Sequence, residues 1–73
     1  LFISAGFDAH EADPLANLMF KDADFEWVTD KLCAIAKTHC DGRVVSCLEG
    51  GYDLGALSRA GALHVDALIR AGA

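Results

Sequence analysis

A chain of 73 residues with net charge -5, from 11 acidic and 6 basic side chains, has room for one small domain or for part of a larger one. Phosphate-backbone binding needs clustered Lys and Arg, and no such cluster occurs, so no nucleic-acid partner is expected. No apolar run approaches the ~20 residues that span a bilayer, and no basic stretch leads into an apolar core, so neither a membrane segment nor a leader is expected.

An apolar share of 53% is high for so few residues and predicts faces that a larger protein covers. The chain opens on an apolar run without a Met, as a cut made inside a larger protein does. Its three cysteines, Cys33, Cys40 and Cys47, are odd in number and include no CxxC. They predict reduced, buried thiols in a cytoplasmic protein and not a disulfide framework.

Residues 1–5 form a short apolar run stopped by Gly6, and its length favours a buried strand. Residues 6–20, with Asp13-Pro14 and several Ala and Asp, read as a long loop, a place where function is often carried. From Asp22 to about Cys40 the spacing predicts a helix with Phe25, Val28, Leu32, Ile35 and Ala36 on one face. Acidic residues in its first turns and Lys37 and His39 in its last suit the helix dipole, and Asp41-Gly42 stops it. Trp27, on the helix flank, reads as packing. Residues 44–48 form a second β-rich run closed by Gly50-Gly51. Asp53 then reads as the N-cap of a final helix to about Arg70, with Leu57, Gly61, His64 and Leu68 on one stripe. This β-α-β-α order predicts an α/β fold with an open, mainly parallel sheet.

In such sheets reactive groups gather beyond the carboxyl ends of the strands. Two loops qualify, one at residues 6–10 and one at residues 49–53. Asp8, His10 and Asp13 offer oxygen and nitrogen ligands for zinc or a similar ion, or they simply form a solvated turn. Tyr52 follows two glycines that let the backbone turn tightly. Its phenol either donates to a developing oxyanion or packs as a strand-end aromatic. Glu49 is an acid-base group or a loop cap. His39 reads as a surface cation and His64 as a packed helix residue.

Taken together, Ser4-Ala5-Gly6-Phe7-Asp8-Ala9-His10 with Asp13-Pro14-Leu15 resembles the third metal-ligand loop of the histone deacetylase superfamily. The closer likeness is to class II-like and bacterial members, including acetylpolyamine amidohydrolases. Leu48-Glu49-Gly50-Gly51-Tyr52-Asp53-Leu54 resembles the tyrosine loop of the same family. The resemblance covers essentially the whole chain and implies a C-terminal piece of an arginase-like catalytic domain, incomplete by itself. It implies that Asp8 is one of three protein ligands to a catalytic zinc, and that Tyr52 stabilises the oxyanion. Leu15, Gly50 and Gly51 would line the channel for the acylated side chain. His10 is not carried over, because the Asp-x-His ligand pair of the family lies in a different, upstream loop. Those upstream ligands and the tandem histidines of acid-base catalysis are absent here.

The implied substrate is an acetyl-lysine protein or an acylated small amine. The isolated chain is expected to bind zinc weakly or not at all, to lack activity and to self-associate. Lys21 stands where relatives often have a Thr N-cap, so the first helix is expected to start weakly or at Asp22. The geometric expectation is that Asp8 and Tyr52 share one edge of two neighbouring parallel strands.

Overall fold

A computed structural model describes residues 1–12 and 18–72. The elements are β1 (Phe2–Gly6), α1 (Asp22–Cys40), β2 (Val45–Gly50) and α2 (Leu54–Gly72), an α/β arrangement in the expected order. β1 and β2 pair in parallel, with Phe2 opposite Val45, Ile3 opposite Ser46, Ser4 opposite Cys47 and Ala5 opposite Leu48. The register then slips, and Gly6 meets Gly50, which leaves Glu49 as the extra residue of a bulge. Bulges re-aim the chain at strand ends and recur beside active sites.

Both helices lie on one face of this two-stranded sheet. Ala5 and Phe7 from the β1 side close a core with Phe25 of α1 and Ala60 of α2, and Ile3, Ala9 and Leu57 pack around it. The other sheet face is uncovered: Phe2 is 82% exposed and Val45 51%. A parallel sheet is normally covered on both faces, so the high apolar share is explained by surface that this chain does not bury.

The buried stripe of α1 is Phe25, Thr29, Cys33 and Ala36, rotated from the expected one. Val28 and Leu32 are only half-buried and Ile35 is exposed. The reason is polar. The Thr29 hydroxyl donates to the Phe25 carbonyl at 2.7 Å and meets His64 Nδ1 at 2.8 Å, so a polar residue sits at the helix–helix contact. On α2 the buried residues are Ala56, Ala60, His64 and Ala67. Leu57, Gly61 and Leu68 flank them half-buried. Small side chains at the contact let the two helix backbones approach.

Trp27 does not pack. It is exposed, with the Lys31 ammonium 5.6 Å from its ring centre. All three thiols are free, but only Cys33 is buried, and Cys47 is exposed on the open sheet face. Burial pushes the Cys33 thiol up from its ordinary value, with Asp30 adding to the effect.

Lys21 caps α1, which begins at Asp22. A lysine side chain has no acceptor to offer, and the cap works from the other direction: the Asp24 carboxylate accepts the Lys21 backbone N–H at 2.8 Å. The helix stops at Asp41 in the left-handed conformation, with φ 56°. α2 has the expected cap, the Asp53 carboxylate accepting the Ala56 N–H at 2.8 Å. Among the described residues no helix is long and apolar enough to cross a membrane.

Candidate functional site at the strand ends

Parallel pairing sends both chains out of the sheet at the same edge. The Phe7 N–H donates to the Gly50 carbonyl at 3.0 Å and extends the ladder by one step. The chain then folds into a turn closed by the His10 N–H on the Phe7 carbonyl at 3.2 Å, with Asp8 and Ala9 at its centre. Asp8 and Tyr52 each follow the Gly6–Gly50 pair by two residues, so they leave the same edge of neighbouring strands, as the element order predicts.

The Asp8 carboxylate lies over the end of β2. A Cβ added to Gly50 would stand 3.2 Å from Asp8 Cγ and 3.3 Å from both carboxylate oxygens, and one added to Gly6 would stand 3.2 Å from Oδ1. A side chain at Gly50 would push the carboxylate aside by a few tenths of an ångström. Gly51 has φ +126°, a conformation that side chains rarely adopt, and a Cβ there would meet Phe7 Cβ at 3.1 Å. Tyr52 follows, 57% exposed, before Asp53 starts α2. Leu15 and Asp13 lie outside the described residues.

His10 is buried and reaches the start of α1. Its Nδ1 accepts the Ala12 N–H at 3.0 Å, so the ring proton sits on Nε2, which donates to Asp22 Oδ1 at 2.6 Å. The ring also stacks on Phe25 at 6.0 Å. With both nitrogens engaged, His10 has no lone pair for a metal. Asp22 passes the contact on, its Oδ2 accepting from Arg59 Nε at 3.1 Å. The His10 hydrogen bond, followed by Arg59, holds the Asp22 carboxyl below its ordinary value.

A second polar chain crosses the core. Because Thr29 gives its hydroxyl proton to Phe25, it accepts from His64 Nδ1–H, and Ser46 Oγ–H donates to His64 Nε2 at 2.8 Å. Burial lowers the His64 pKa from its ordinary value. Nothing in the spacing of Asp22, Arg59, Thr29 or Ser46 announces these roles. His10 and Asp22 are twelve residues apart, and the other links join different elements.

Among the described residues no three His, Cys, Asp or Glu side chains gather in a way that could hold a metal ion. Asp8 is a half-buried carboxylate with glycine beneath it. That donor chemistry fits one carboxylate ligand of a zinc ion, and a closed site needs further ligands beside it.

Residues 1–68 match the histone deacetylase domain. The chain is 43% identical to Type-2 histone deacetylase 1 of Dictyostelium discoideum over 68 residues, 93% of this chain and 5% of that protein. It is 48% identical to Histone deacetylase 14, chloroplastic, of Arabidopsis thaliana over 58 residues, 80% of this chain and 14% of that one. With the Histone deacetylase-like amidohydrolase of Pseudomonas aeruginosa it shares 36% identity over 52 residues, 71% of this chain and 14% of the relative. The chain thus spans a small part of the length of these curated relatives. A match over nearly all of its residues, on a parallel strand pair of the expected order, means that the chain belongs to the histone deacetylase family of deacetylase hydrolases.

Proposed function

We propose that the chain is the C-terminal portion of a zinc-dependent amidohydrolase domain that deacylates N-acetyl-lysine or an acylated small amine. In this reading it supplies Asp8 as one metal ligand and Tyr52 as the oxyanion donor. The observation that supports it most is the shared strand edge: Asp8 and Tyr52 each follow the Gly6–Gly50 pair by two residues. Zinc, when bound, supplies Lewis-acid polarisation of the acyl carbonyl and a water activated near neutral pH. Asp8 would hold it as one ligand, and the remaining ligands would come from outside these residues. The Tyr52 phenol donates a hydrogen bond where negative charge develops on the acyl oxygen. Gly50 and Gly51 leave room beside Asp8 for the acylated side chain, and Leu15, which lies outside the described residues, keeps the channel-lining role that the family resemblance implies.

A second reading is that the chain, taken alone, is an inactive structural or associating module, because one carboxylate ligand by itself makes no closed zinc site.

Two substitutions in the parent protein test the main reading. Tyr52→Phe keeps the ring and removes the donor, and kcat should fall ~10²–10³-fold with zinc content unchanged. Asp8→Asn should instead lose metal affinity, because a neutral amide is a poorer ligand. Full activity in both variants rejects the assignment.

A further inference from the structure

Resting on the proposed roles of Asp8 and Tyr52, we infer that His10, Asp22 and Arg59 form a positioning brace that holds the Asp8 turn and the helix after Tyr52 in one frame. None of the three touches the Asp8 carboxylate in the contacts described above. They act on the segments that carry Asp8 and Tyr52.

The brace starts at the turn itself. His10 closes the Asp8 turn with its backbone N–H and reaches α1 with its side chain, Nε2–H to Asp22 Oδ1 at 2.6 Å. The strand-like pairing of His10 with Phe20 runs alongside, with the Glu11 N–H on the Phe20 carbonyl at 2.7 Å and the Phe20 N–H on the Ala9 carbonyl at 2.9 Å. The chain leaving Asp8 is therefore tied to the start of α1 by backbone and side chain together. From Asp22 the second oxygen accepts from Arg59 on α2 at 3.1 Å. Arg59 lies in the early turns of the helix that Asp53 caps, and its guanidinium also lies close to Gly55. Two loops that leave the sheet at one edge are thus linked a second time, through one carboxylate. The His10 link is buried at its origin, where a hydrogen bond is least exchangeable with water. The donor and acceptor roles are fixed along its length, because Ala12 occupies Nδ1.

The geometry orders the effects of substitution. Asp22→Ala removes both links. Asp22→Asn keeps an acceptor for His10 and denies Arg59 its carboxylate, and Arg59→Met removes the same link from the other side. Arg59 has 57% of its side chain exposed, so its replacement leaves the core intact.

The experiment measures kcat, KM, zinc affinity by chelator competition and amide hydrogen exchange in the full-length parent protein. Asp22→Ala should lower kcat about tenfold, the size of effect that small misplacements of reacting groups produce, with KM within twofold. Exchange should speed up both at residues 8–12 and at residues 52–55. Asp22→Asn and Arg59→Met should match one another, with a smaller kcat loss and faster exchange at residues 52–55 alone. A merely structural role predicts a kcat loss that disappears when rates are normalised to folded, zinc-loaded protein. That result overturns the brace, as does unchanged exchange at residues 52–55 in Asp22→Ala and Arg59→Met. Tyr52→Phe and Asp8→Asn, measured alongside, separate the two claims: if both keep full activity the functional reading falls, while the exchange pattern still decides whether the brace exists.

Discussion

Asp8 rests on Gly50: a methyl group at Gly50 would stand 3.2 Å from the Asp8 carboxyl carbon, a contact tight enough that the carboxylate must give by a few tenths of an ångström. Gly50→Ala should therefore displace the carboxylate without touching the core. In the parent protein it should weaken zinc binding and lower kcat/KM by about tenfold or more, as a small shift of a positioned group does. Gly61→Ala is the control, because an added Cβ there meets nothing within 4 Å and the residue is helical. It should leave activity unchanged and stabilise by ~0.5–1 kcal/mol. Chelator competition and thermal denaturation read both variants, and unchanged zinc affinity in Gly50→Ala would remove Asp8 from the metal.

The Ser46–His64–Thr29 chain makes stability depend on pH in a stated direction. Burial lowers the folded-state pKa of His64 below its ordinary 6.5. As pH falls through about 6.5, the unfolded chain takes up a proton that the folded chain refuses, so the stability is present above that value and lost below it. Thermal melts of the parent protein at pH 7.5 and 5.5 should show a smaller acid loss for His64→Gln than for the natural sequence. Equal losses would mean that another group titrates.

Ser46→Ala tests the same chain at neutral pH. Ser46 donates to His64 Nε2, and its loss leaves a buried acceptor without that partner. The expected cost is about 1–3 kcal/mol, read as a lower denaturation midpoint at unchanged slope. A neutral result would show that water replaces the hydroxyl.

The 73-residue chain by itself should bind zinc weakly and show no deacetylase turnover, since the proposed ligand Asp8 alone makes no closed zinc site. Phe2 and Val45 on the uncovered sheet face, and two strands with open edges, should drive self-association. Calorimetric zinc titration and sedimentation are the measurements. Tight stoichiometric zinc with turnover would overturn the first part, and a clean monomer the second.

Leu15 carries a prediction about substrate choice. An apolar wall suits a lysine stem and offers nothing to a cationic amine. In the parent protein Leu15→Glu should shift the kcat/KM ratio toward acetylspermidine-like substrates over neutral acyl-lysine peptides by about tenfold, the size of a charged hydrogen bond of ~1–3 kcal/mol. An unchanged ratio, with activity lowered on both, would make Leu15 a loop core residue.

The sequence by itself determined the order β-α-β-α, the caps at Asp53 and Asp41-Gly42, and the pairing of an Asp8 loop with a Tyr52 loop at one sheet edge. These follow from local chemistry: apolar runs of strand length, helical periodicity, glycine punctuation and a carboxylate at an N-cap. Only the tertiary structure decided which helix faces are buried. Thr29 displaced Ile35 from the α1 contact because a hydroxyl that returns its proton to its own helix and meets His64 is satisfied in the interior, and periodicity does not register such a partner. Ser46 with His64, and Asp22 with Arg59, are likewise pairs between elements far apart in the chain, 18 and 37 residues respectively. Their partners are chosen by how α1 and α2 pack on the sheet, and no local pattern of residues encodes that choice.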